Sequence, residues 1–232
     1  MLVGTCENKV VVPRIGLEAL VNEGRIGDAL YFAYGSNRST PRLRYRVPGC
    51  RFEFVARLPN YELCFHKRSN DGSMKCNAFK TAEPTDAVIG CVYEIPSNQK
   101  PALDRAEALG AGYHEEIVHV LSPKGGEVVV CTYIADASFI DDSLQPYSWY
   151  KNFVLAGAEE HRLPAEYVES RIGAVHAIRD PDPQREQARR AEIKNAACGF
   201  PALRSPVCFT PRFMGPILPE RLSAMRAVPD SH

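Results

Sequence analysis

Residues 31–37, Tyr-Phe-Ala-Tyr-Gly-Ser-Asn, decide how the rest of the chain is interpreted. The first four are apolar or aromatic, as at the end of a buried strand, and Gly35 then breaks the pattern. Gly and Asn tolerate left-handed backbone angles, and Ser and Asn favour helix starts. Residues 38–46, with Pro41 in the first turn, are typical of a short helix. We predict a strand, a tight turn and a helix, and the turn's backbone N–H groups are suited to an anion. A turn without a ligand explains the same local pattern.

Composition and charge limit the classes of protein that this chain can be. Of its 232 residues, 45% are hydrophobic and 24% are charged, which is ordinary for a globular protein. The 28 basic and 28 acidic residues give a net charge of zero, which disfavours a strongly basic nucleic-acid binder. We find no apolar run of the roughly 18 residues that a membrane span requires, and no secretory signal pattern. We therefore expect neither nucleic acid nor a membrane as a partner.

Cysteine usage indicates a reducing compartment. The chain has eight Cys, and none forms a Cys-x-x-Cys pair, so a zinc ribbon or a dithiol redox site is disfavoured. Cys64, Cys91 and Cys131 lie in strand-like runs and are interpreted as buried free thiols. We expect a cytoplasmic protein.

Strand patterns dominate the middle of the chain. β-Branched and aromatic content between turn-rich breaks predicts seven strands, at residues 30–34, 51–57, 61–66, 76–81, 87–95, 113–121 and 127–136. The Pro-Lys-Gly-Gly sequence at 123–126 predicts a hairpin turn. Because few helices intervene, the pattern indicates an α+β fold, with a mostly antiparallel sheet or small barrel and flanking helices, rather than a doubly wound sheet.

Helical patterns flank these strands. They predict a weakly specified helix at 13–23 and further helices at 97–109, 146–158, 165–172 and 184–196. Trp149, Phe153 and Ala156 are predicted to share one stripe of the helix at 146–158, which Glu160 would extend. The helix at 184–196 is rich in Arg and Glu and is interpreted as solvated, and the Pro-rich residues after it as extended or disordered.

One carboxylate is the candidate for catalysis. Glu107 follows Leu103 by four residues on the predicted helix 97–109, so both lie on the face that packs on the sheet. Partial burial raises a carboxyl pKa, which suits a general acid/base near neutral pH. The alternative is that Glu107 lies at the edge of the apolar stripe and reaches water. Asp104 is interpreted as a solvated helix residue, and Glu115 and Glu116 point to opposite faces of a strand, so at most one faces a pocket.

Other motifs carry weaker predictions. His114 and His119 are five residues apart on a strand and point to opposite faces, so we expect no metal site. Ser36 lacks the second Gly of a nucleophile elbow. Four arginines form a basic run: Arg38, Arg42, Arg44 and Arg46. We interpret the run as a solvated helix face, since a nucleic-acid role would need aromatic partners.

Two segments together carry a resemblance to a known family. Residues 31–37, with Ala-Arg-Leu at 56–58, resemble the opening of the gamma-glutamylcyclotransferase family. Leu-Asp-Arg-Ala-Glu at 103–107 resembles the family segment that contains the catalytic Glu. Matches in type and order extend the similarity over residues 29–178: Gly112-Tyr113, Tyr150-Lys151, Gly157-Ala158, Leu163-Pro164 and Tyr167. Arg38, where an apolar residue is common, and Ala108, where Gly is common, are departures that affect specificity more than reaction type.

The resemblance implies a fold, a reaction and a set of site residues. The implied fold is a compact mixed structure around a small β-barrel, and the implied reaction releases 5-oxoproline from a gamma-glutamyl amide without metal or cofactor. Glu107 would be the acid/base. The substrate would contact Tyr34, Gly35, Ser36, Asn37, Tyr113 and Tyr150. The implied catalytic domain is 28–178, between an N-terminal extension at 1–27 and a polar helix with a Pro-rich tail at 179–232.

The reaction itself needs little from the enzyme. The substrate's α-amine attacks its own γ-carbonyl, so positioning supplies much of the acceleration. One carboxylate suffices to move the proton, and backbone N–H groups suffice for the developing oxyanion. Two related activities stay open, namely action on gamma-glutamylamines and removal of a gamma-glutamyl group from a biosynthetic intermediate. A non-catalytic module for amino-acid-like anions is the third alternative, against which the intact Glu107 argues. A homodimer is left open.

Overall fold

The computed structural model describes residues 27–198. The predicted helix at 13–23 and the predicted Pro-rich tail lie outside the described residues. Five of the strands form a closed barrel in the order β1-β5-β2-β6-β7, and β3 and β4 form a separate two-stranded sheet. The strands are β1 Ala29–Ala33, β2 Arg51–Pro59, β3 Tyr61–Arg68, β4 Met74–Lys80, β5 Ala87–Ile95, β6 Tyr113–Leu121 and β7 Glu127–Ala135. The predicted α+β class with a small barrel is confirmed.

The barrel closes through its first and last strands. β1 pairs antiparallel with β5 along its whole length, whereas it runs parallel to β7, with Tyr31 opposite Cys131. The 123–126 turn joins β6 and β7 in a continuous antiparallel hairpin, as predicted. The sheet is therefore mostly antiparallel, with one parallel contact at the point of closure.

Short helices connect and cover the strands. They are a 3-10 turn Ser36–Arg38, α1 Thr40–Arg46, a 3-10 turn Ser97–Gln99, α2 Lys100–Ala106, a 3-10 turn Ala137–Phe139, α3 Ser148–Glu160, α4 Ala165–Val168 with a π-helix Glu169–Gly173, and α5 Pro183–Cys198. The prediction of one helix over 97–109 is wrong at its end, because Ala108 and Gly110 adopt positive φ angles of 54° and 75°. Glu107 is thus the C-cap of α2 and not an interior helix residue.

Side chains of β1 and of Tyr34, the residue after it, enter two separate parts of the core. Phe32 and Tyr34 belong to the cluster that includes α3, whereas Tyr31 and Ala33 belong to the cluster that includes α1 and α2. This division follows from the alternation of side chains along a strand. The 3-10 turn at the end of β1 therefore begins where the two halves of the core meet.

Helix α3 lies directly against that turn. A Cβ atom on Gly157 would come within 2.6 Å of the Ser39 backbone nitrogen, so the close approach requires glycine. Of the residues on the predicted stripe, Trp149 and Phe153 are buried and Ala156 is half-buried, and the buried face continues through Gly157 and Ala158. The buried face of α3 therefore includes its glycine side, which the turn contacts.

Helix α5 is less solvated than its composition predicts. The carboxylate of Asp180, just before it, accepts hydrogen bonds from Trp149 of α3 at 2.8 Å and from Arg185 of α5 at 2.6 Å. Glu186 is 4% exposed and accepts a hydrogen bond from the Asp180 amide. These paired charges attach α5 to the rest of the fold, so the interpretation as a solvated helix is wrong for its first turn. The domain boundary at residue 178 stays a prediction.

Among the described residues, Cys50, Cys76, Cys91 and Cys131 are buried free thiols and Cys64 is a half-buried one. No helix within 27–198 has the length and apolar character needed to cross a membrane.

Candidate active site

A small cavity, with about 290 Å³ of empty space when its solvent-open mouth is included, lies beside the turn at the end of β1. Its walls come from β1, the turn, the end of α2, β4, β6, β7 and α3. The structure brings all seven sequence-predicted site residues into this cavity: Tyr34, Gly35, Ser36, Asn37, Glu107, Tyr113 and Tyr150. Tyr31, Cys76 and Tyr133 complete the lining, and sequence reasoning did not single them out. The signal that could have identified them is their position, because each of the three lies on a strand next to the predicted site.

The Gly-Ser-Asn turn differs in conformation from its prediction. Gly35 has φ −102° and ψ −141°, and the next residues form a 3-10 turn in which the Arg38 amide donates to the Gly35 carbonyl at 3.1 Å. The expected left-handed angles are therefore absent from the turn. Glycine is needed for space instead, because a Cβ atom at position 35 would lie 3.2 Å from Cys76 Cβ and 3.3 Å from the Tyr150 hydroxyl. The first backbone N–H groups of a 3-10 turn have no carbonyl acceptor within the turn, so they are available to a ligand.

Contacts with α2, with the turn at Asn37 and with Arg46 of α1 hold Glu107 at the cavity. Its backbone N–H donates to Leu103 in the last turn of α2 at 2.9 Å. Its carboxylate accepts a hydrogen bond from the Asn37 side-chain amide and lies 3.6 Å from the Arg46 guanidinium. The side chain is 18% exposed. Burial raises the pKa of Glu107 above its ordinary value, although Arg46, Arg42, Lys67 and a Tyr31 hydrogen bond oppose the shift. The predicted desolvation is thus confirmed.

The interpretation of the arginine run as a solvated face is wrong for three of its members. Arg38 is fully buried and donates to the carbonyls of Ile89 and Val154, and the Arg42 guanidinium lies 4.0 Å above the Phe153 ring. Arg46 donates to Asn37 Oδ1 at 2.8 Å. Only the fourth arginine of the run, at position 44, is exposed. The four-residue spacing of Arg42 and Arg46 is the signal that places these two on one face of α1, whereas Arg38 lies in the 3-10 turn before that helix.

The tyrosines surround Glu107 with neutral hydroxyls. Burial raises the pKa values of Tyr31, Tyr34, Tyr113 and Tyr150 well above the ordinary value, so these phenols stay protonated. Two of these phenols also fix the β4 backbone. The Tyr113 hydroxyl donates to the Cys76 carbonyl at 2.5 Å, and the Cys76 amide donates to the Tyr150 hydroxyl at 2.9 Å. Glu107 is therefore the group in the cavity suited to exchange protons near neutral pH.

The competing acidic residues do not line the cavity, and each has a structural partner. Asp104, predicted to be solvated, accepts a hydrogen bond from the Tyr133 hydroxyl at 2.6 Å and pairs with Lys100 at 2.5 Å, so that prediction is wrong. Glu115 pairs with Lys100 at 2.6 Å, and Glu116 accepts from a tyrosine hydroxyl on β3 at 3.1 Å. Neither of these two glutamates lines the cavity. Within the described part of the chain, no three His, Cys, Asp or Glu side chains form a metal-binding group.

Fold and site together define a small-barrel enzyme with one half-buried carboxylate facing a polar cavity. Residues 87–170 match the model of the AIG2-like family. The chain is 32% identical over 141 residues to a bovine gamma-glutamylcyclotransferase, a match that covers 60% of this chain and 74% of the relative. Two solved structures agree. An uncharacterized human protein has a TM-score of 0.64 at 30% identity, covering 72% of this chain and 99% of that one. A gamma-glutamyl cyclotransferase has a TM-score of 0.61 at 28% identity, covering 71% and 99%.

The chain belongs to the gamma-glutamylcyclotransferase family and is an enzyme of that type. This membership disfavours the alternative of a non-catalytic binding module.

Proposed function

We propose that this enzyme releases 5-oxoproline from gamma-glutamyl amides, with Glu107 as the acid/base. The observation that carries the proposal is the half-buried Glu107 carboxylate in the same cavity as the Gly35–Asn37 turn. The carboxylate provides a proton acceptor, and the turn provides backbone amides for the charged or developing anionic groups of the substrate.

The proposed reaction proceeds through the substrate's own nitrogen. Glu107 accepts a proton from the α-ammonium, and the freed amine forms a bond to the γ-carbonyl carbon. The tetrahedral intermediate then loses the leaving amine as its C–N bond breaks, and Glu107 returns the proton to that leaving nitrogen. As the intermediate collapses, the ring nitrogen loses its second proton to solvent, and the released amine takes up a proton from solvent, which leaves 5-oxoproline and an ammonium ion. Because the nucleophile is intramolecular, holding the substrate in its folded-back form supplies much of the acceleration.

The surroundings of Glu107 suit this proton transfer. Its raised pKa makes the carboxylate a stronger base than an exposed Glu, while the Arg46 guanidinium at 3.6 Å keeps the charged form accessible. Asn37 links the two, since its amide donates to Glu107 and its oxygen accepts from Arg46. The neutral phenols of Tyr113 and Tyr150 form polar walls that do not compete for the proton.

The test is product identification with a matched pair of substrates. We expect gamma-glutamyl-alanine to yield 5-oxoproline and alanine in equal amounts, and N-acetyl-gamma-glutamyl-alanine, whose α-amine is blocked, to be inert. Equal turnover of the blocked substrate, or release of glutamate in place of 5-oxoproline, would contradict the intramolecular reaction. A panel of gamma-glutamyl dipeptides and amines then identifies the leaving groups that are accepted.

A further inference from the structure

Arg38 places a positive charge in the interior of the fold, behind the turn that lines the cavity. It is the last residue of the 3-10 turn Ser36–Arg38 and is fully buried. Its guanidinium donates to the backbone carbonyls of Ile89 in β5 at 3.1 Å and Val154 in α3 at 3.3 Å. Because a guanidinium is not deprotonated in proteins, this side chain is a charge as well as a hydrogen-bond donor.

No carboxylate within residues 27–198 forms a salt bridge with Arg38. Both acceptors of its guanidinium are neutral carbonyls, and its buried Nε has no hydrogen-bond partner among the described residues. Acidic side chains on the neighbouring elements are paired with other groups, since Glu107 lies against Arg46 and Glu160 against His161. A buried charge without a counter-charge is unfavourable. An anion bound close to the turn would offset this cost.

The charge is fixed relative to the turn, and its influence reaches the cavity wall. The Arg38 amide donates to the Gly35 carbonyl at 3.1 Å, and the Arg38 carbonyl accepts from the Tyr93 hydroxyl at 2.6 Å. Burial raises the pKa of the Cys76 thiol to about 12, and a Tyr150 hydrogen bond and the Arg38 charge oppose that shift. Cys76 and Gly35 both line the cavity. An anion held by the turn therefore lies within reach of the buried positive charge.

We propose that Arg38 is a specificity-determining residue whose buried charge selects substrates that carry a carboxylate beside the reacting amine. The inference rests on the proposed function, because it assigns the α-carboxylate of the gamma-glutamyl group to the turn. The backbone N–H groups of the turn contact this carboxylate, and Arg38 stabilises its charge from behind the turn without touching it. Contact is not required, because attraction between charges extends over several ångströms in a poorly hydrated interior.

The proposed role predicts a change in KM and not in kcat. The α-carboxylate is not one of the reacting groups, so its charge is the same in the bound substrate and in the transition state. An interaction that is equally strong in both states lowers KM without raising kcat. A residue that only maintained the shape of the turn would affect kcat as well, because the turn also faces the developing oxyanion.

The test compares gamma-glutamyl-alanine with 4-aminobutanoyl-alanine, which lacks only the α-carboxylate. The corresponding amine attacks the corresponding carbonyl in both substrates, so the second one releases alanine and 2-pyrrolidinone in place of 5-oxoproline. The parent enzyme should prefer gamma-glutamyl-alanine. Arg38→Met should raise KM for this substrate by about tenfold with little change in kcat, and leave kcat/KM for 4-aminobutanoyl-alanine within roughly twofold. Equal losses on both substrates would overturn the proposal.

Two further variants separate charge from shape. Arg38→Lys retains the positive charge and should keep most of the parent's preference for gamma-glutamyl-alanine, and a loss as large as that of Arg38→Met would overturn the role of the charge. Tyr93→Phe removes the hydroxyl that donates to the Arg38 carbonyl but leaves the charge in place. It should therefore lower kcat/KM for both substrates by the same factor. If Tyr93→Phe abolished the preference, the shape of the turn and not the charge would be responsible.

Other readouts cover weak turnover and poor folding. If the parent releases no detectable 2-pyrrolidinone, inhibition by 5-oxoproline, which retains the α-carboxylate, replaces the second substrate. Its inhibition constant should rise about tenfold in Arg38→Met and stay near the parent's in Arg38→Lys, and an unchanged constant in Arg38→Met would contradict the proposal. If Arg38→Met does not fold, Arg38→Gln takes its place, and failure of both neutral variants to fold would show that the charge serves the fold.

Failure of this inference is distinguishable from failure of the proposed function. Equal kcat/KM values for the two substrates in the parent would reject only the role of Arg38. Absence of 5-oxoproline when the parent is given gamma-glutamyl-alanine would reject the proposed function as well.

Discussion

Replacing Gly157 with Ala should separate α3 from the turn that it contacts. The added Cβ would lie 2.6 Å from the Ser39 nitrogen and 2.8 Å from the Arg38 carbonyl carbon. Both are backbone atoms and cannot rotate away, and the shorter distance is roughly 0.8 Å below an ordinary van der Waals contact. Either the helix or the turn must therefore move. Tyr150 on the helix and Asn37 in the turn face the same cavity, so the movement changes the shape of the site.

Overpacking of this kind costs about 1–3 kcal/mol of the free energy of unfolding. For a chain of this size, the melting temperature should fall by roughly 5 °C. A displacement approaching 1 Å at a positioned substrate lowers kcat/KM by about tenfold or more. Differential scanning calorimetry and 5-oxoproline release measure the two effects. Gly173→Ala is the matched control, since the nearest atom to its added Cβ is a carbonyl oxygen at 3.5 Å. If Gly157→Ala melts and turns over like the parent, the reasoning is refuted.

Two further predictions concern charge. Arg46→Gln removes a cation that lowers the pKa of Glu107. The acidic limb of the profile of kcat/KM against pH should therefore move to higher pH. An unchanged acidic limb would show that a group other than Glu107 controls it. Asp180→Asn weakens the contacts to Trp149 and Arg185 and should cost about 2 kcal/mol in urea unfolding at pH 7. Partners lower the pKa of Asp180 to about 2 from 3.8. Its stabilisation is therefore complete above the unfolded value and is lost as pH falls towards 2, and a variant with the parent's acid stability would contradict this.

The strands were predictable because their signals are local. The bounds predicted for β5 and β6, 87–95 and 113–121, are those of the structure. Alternating apolar residues and turn-forming breaks lie within a few positions of each other in the sequence. The closure of the barrel was not predictable in the same way. The parallel contact of Tyr31 with Cys131 joins residues 100 positions apart, and nothing in either segment specifies the other.

The sequence predicted which residues line the site, but it did not predict which charged side chains near the site are buried. The family resemblance placed Glu107 and the turn, and the structure brings them to one cavity, while their catalytic roles remain predictions. Arg38 and Arg42 were interpreted as solvated because a local pattern shows a helix face but not what packs against it. Tertiary contacts of the 3-10 turn bury Arg38, and those of α1 bury Arg42. The end of α2 was missed because Ala108 adopts a left-handed angle that its residue type does not favour.

The central claim is that Glu107 moves the proton while the substrate attacks itself. The direct measurement is 5-oxoproline release from gamma-glutamyl-alanine by Glu107→Gln, with thermal melting to confirm that the variant is folded. The amide keeps the shape and the hydrogen bond to Asn37 but cannot accept a proton, so we predict that kcat falls by about 10²–10⁴-fold with little change in melting temperature. A folded variant that retains the parent's kcat would contradict the claim.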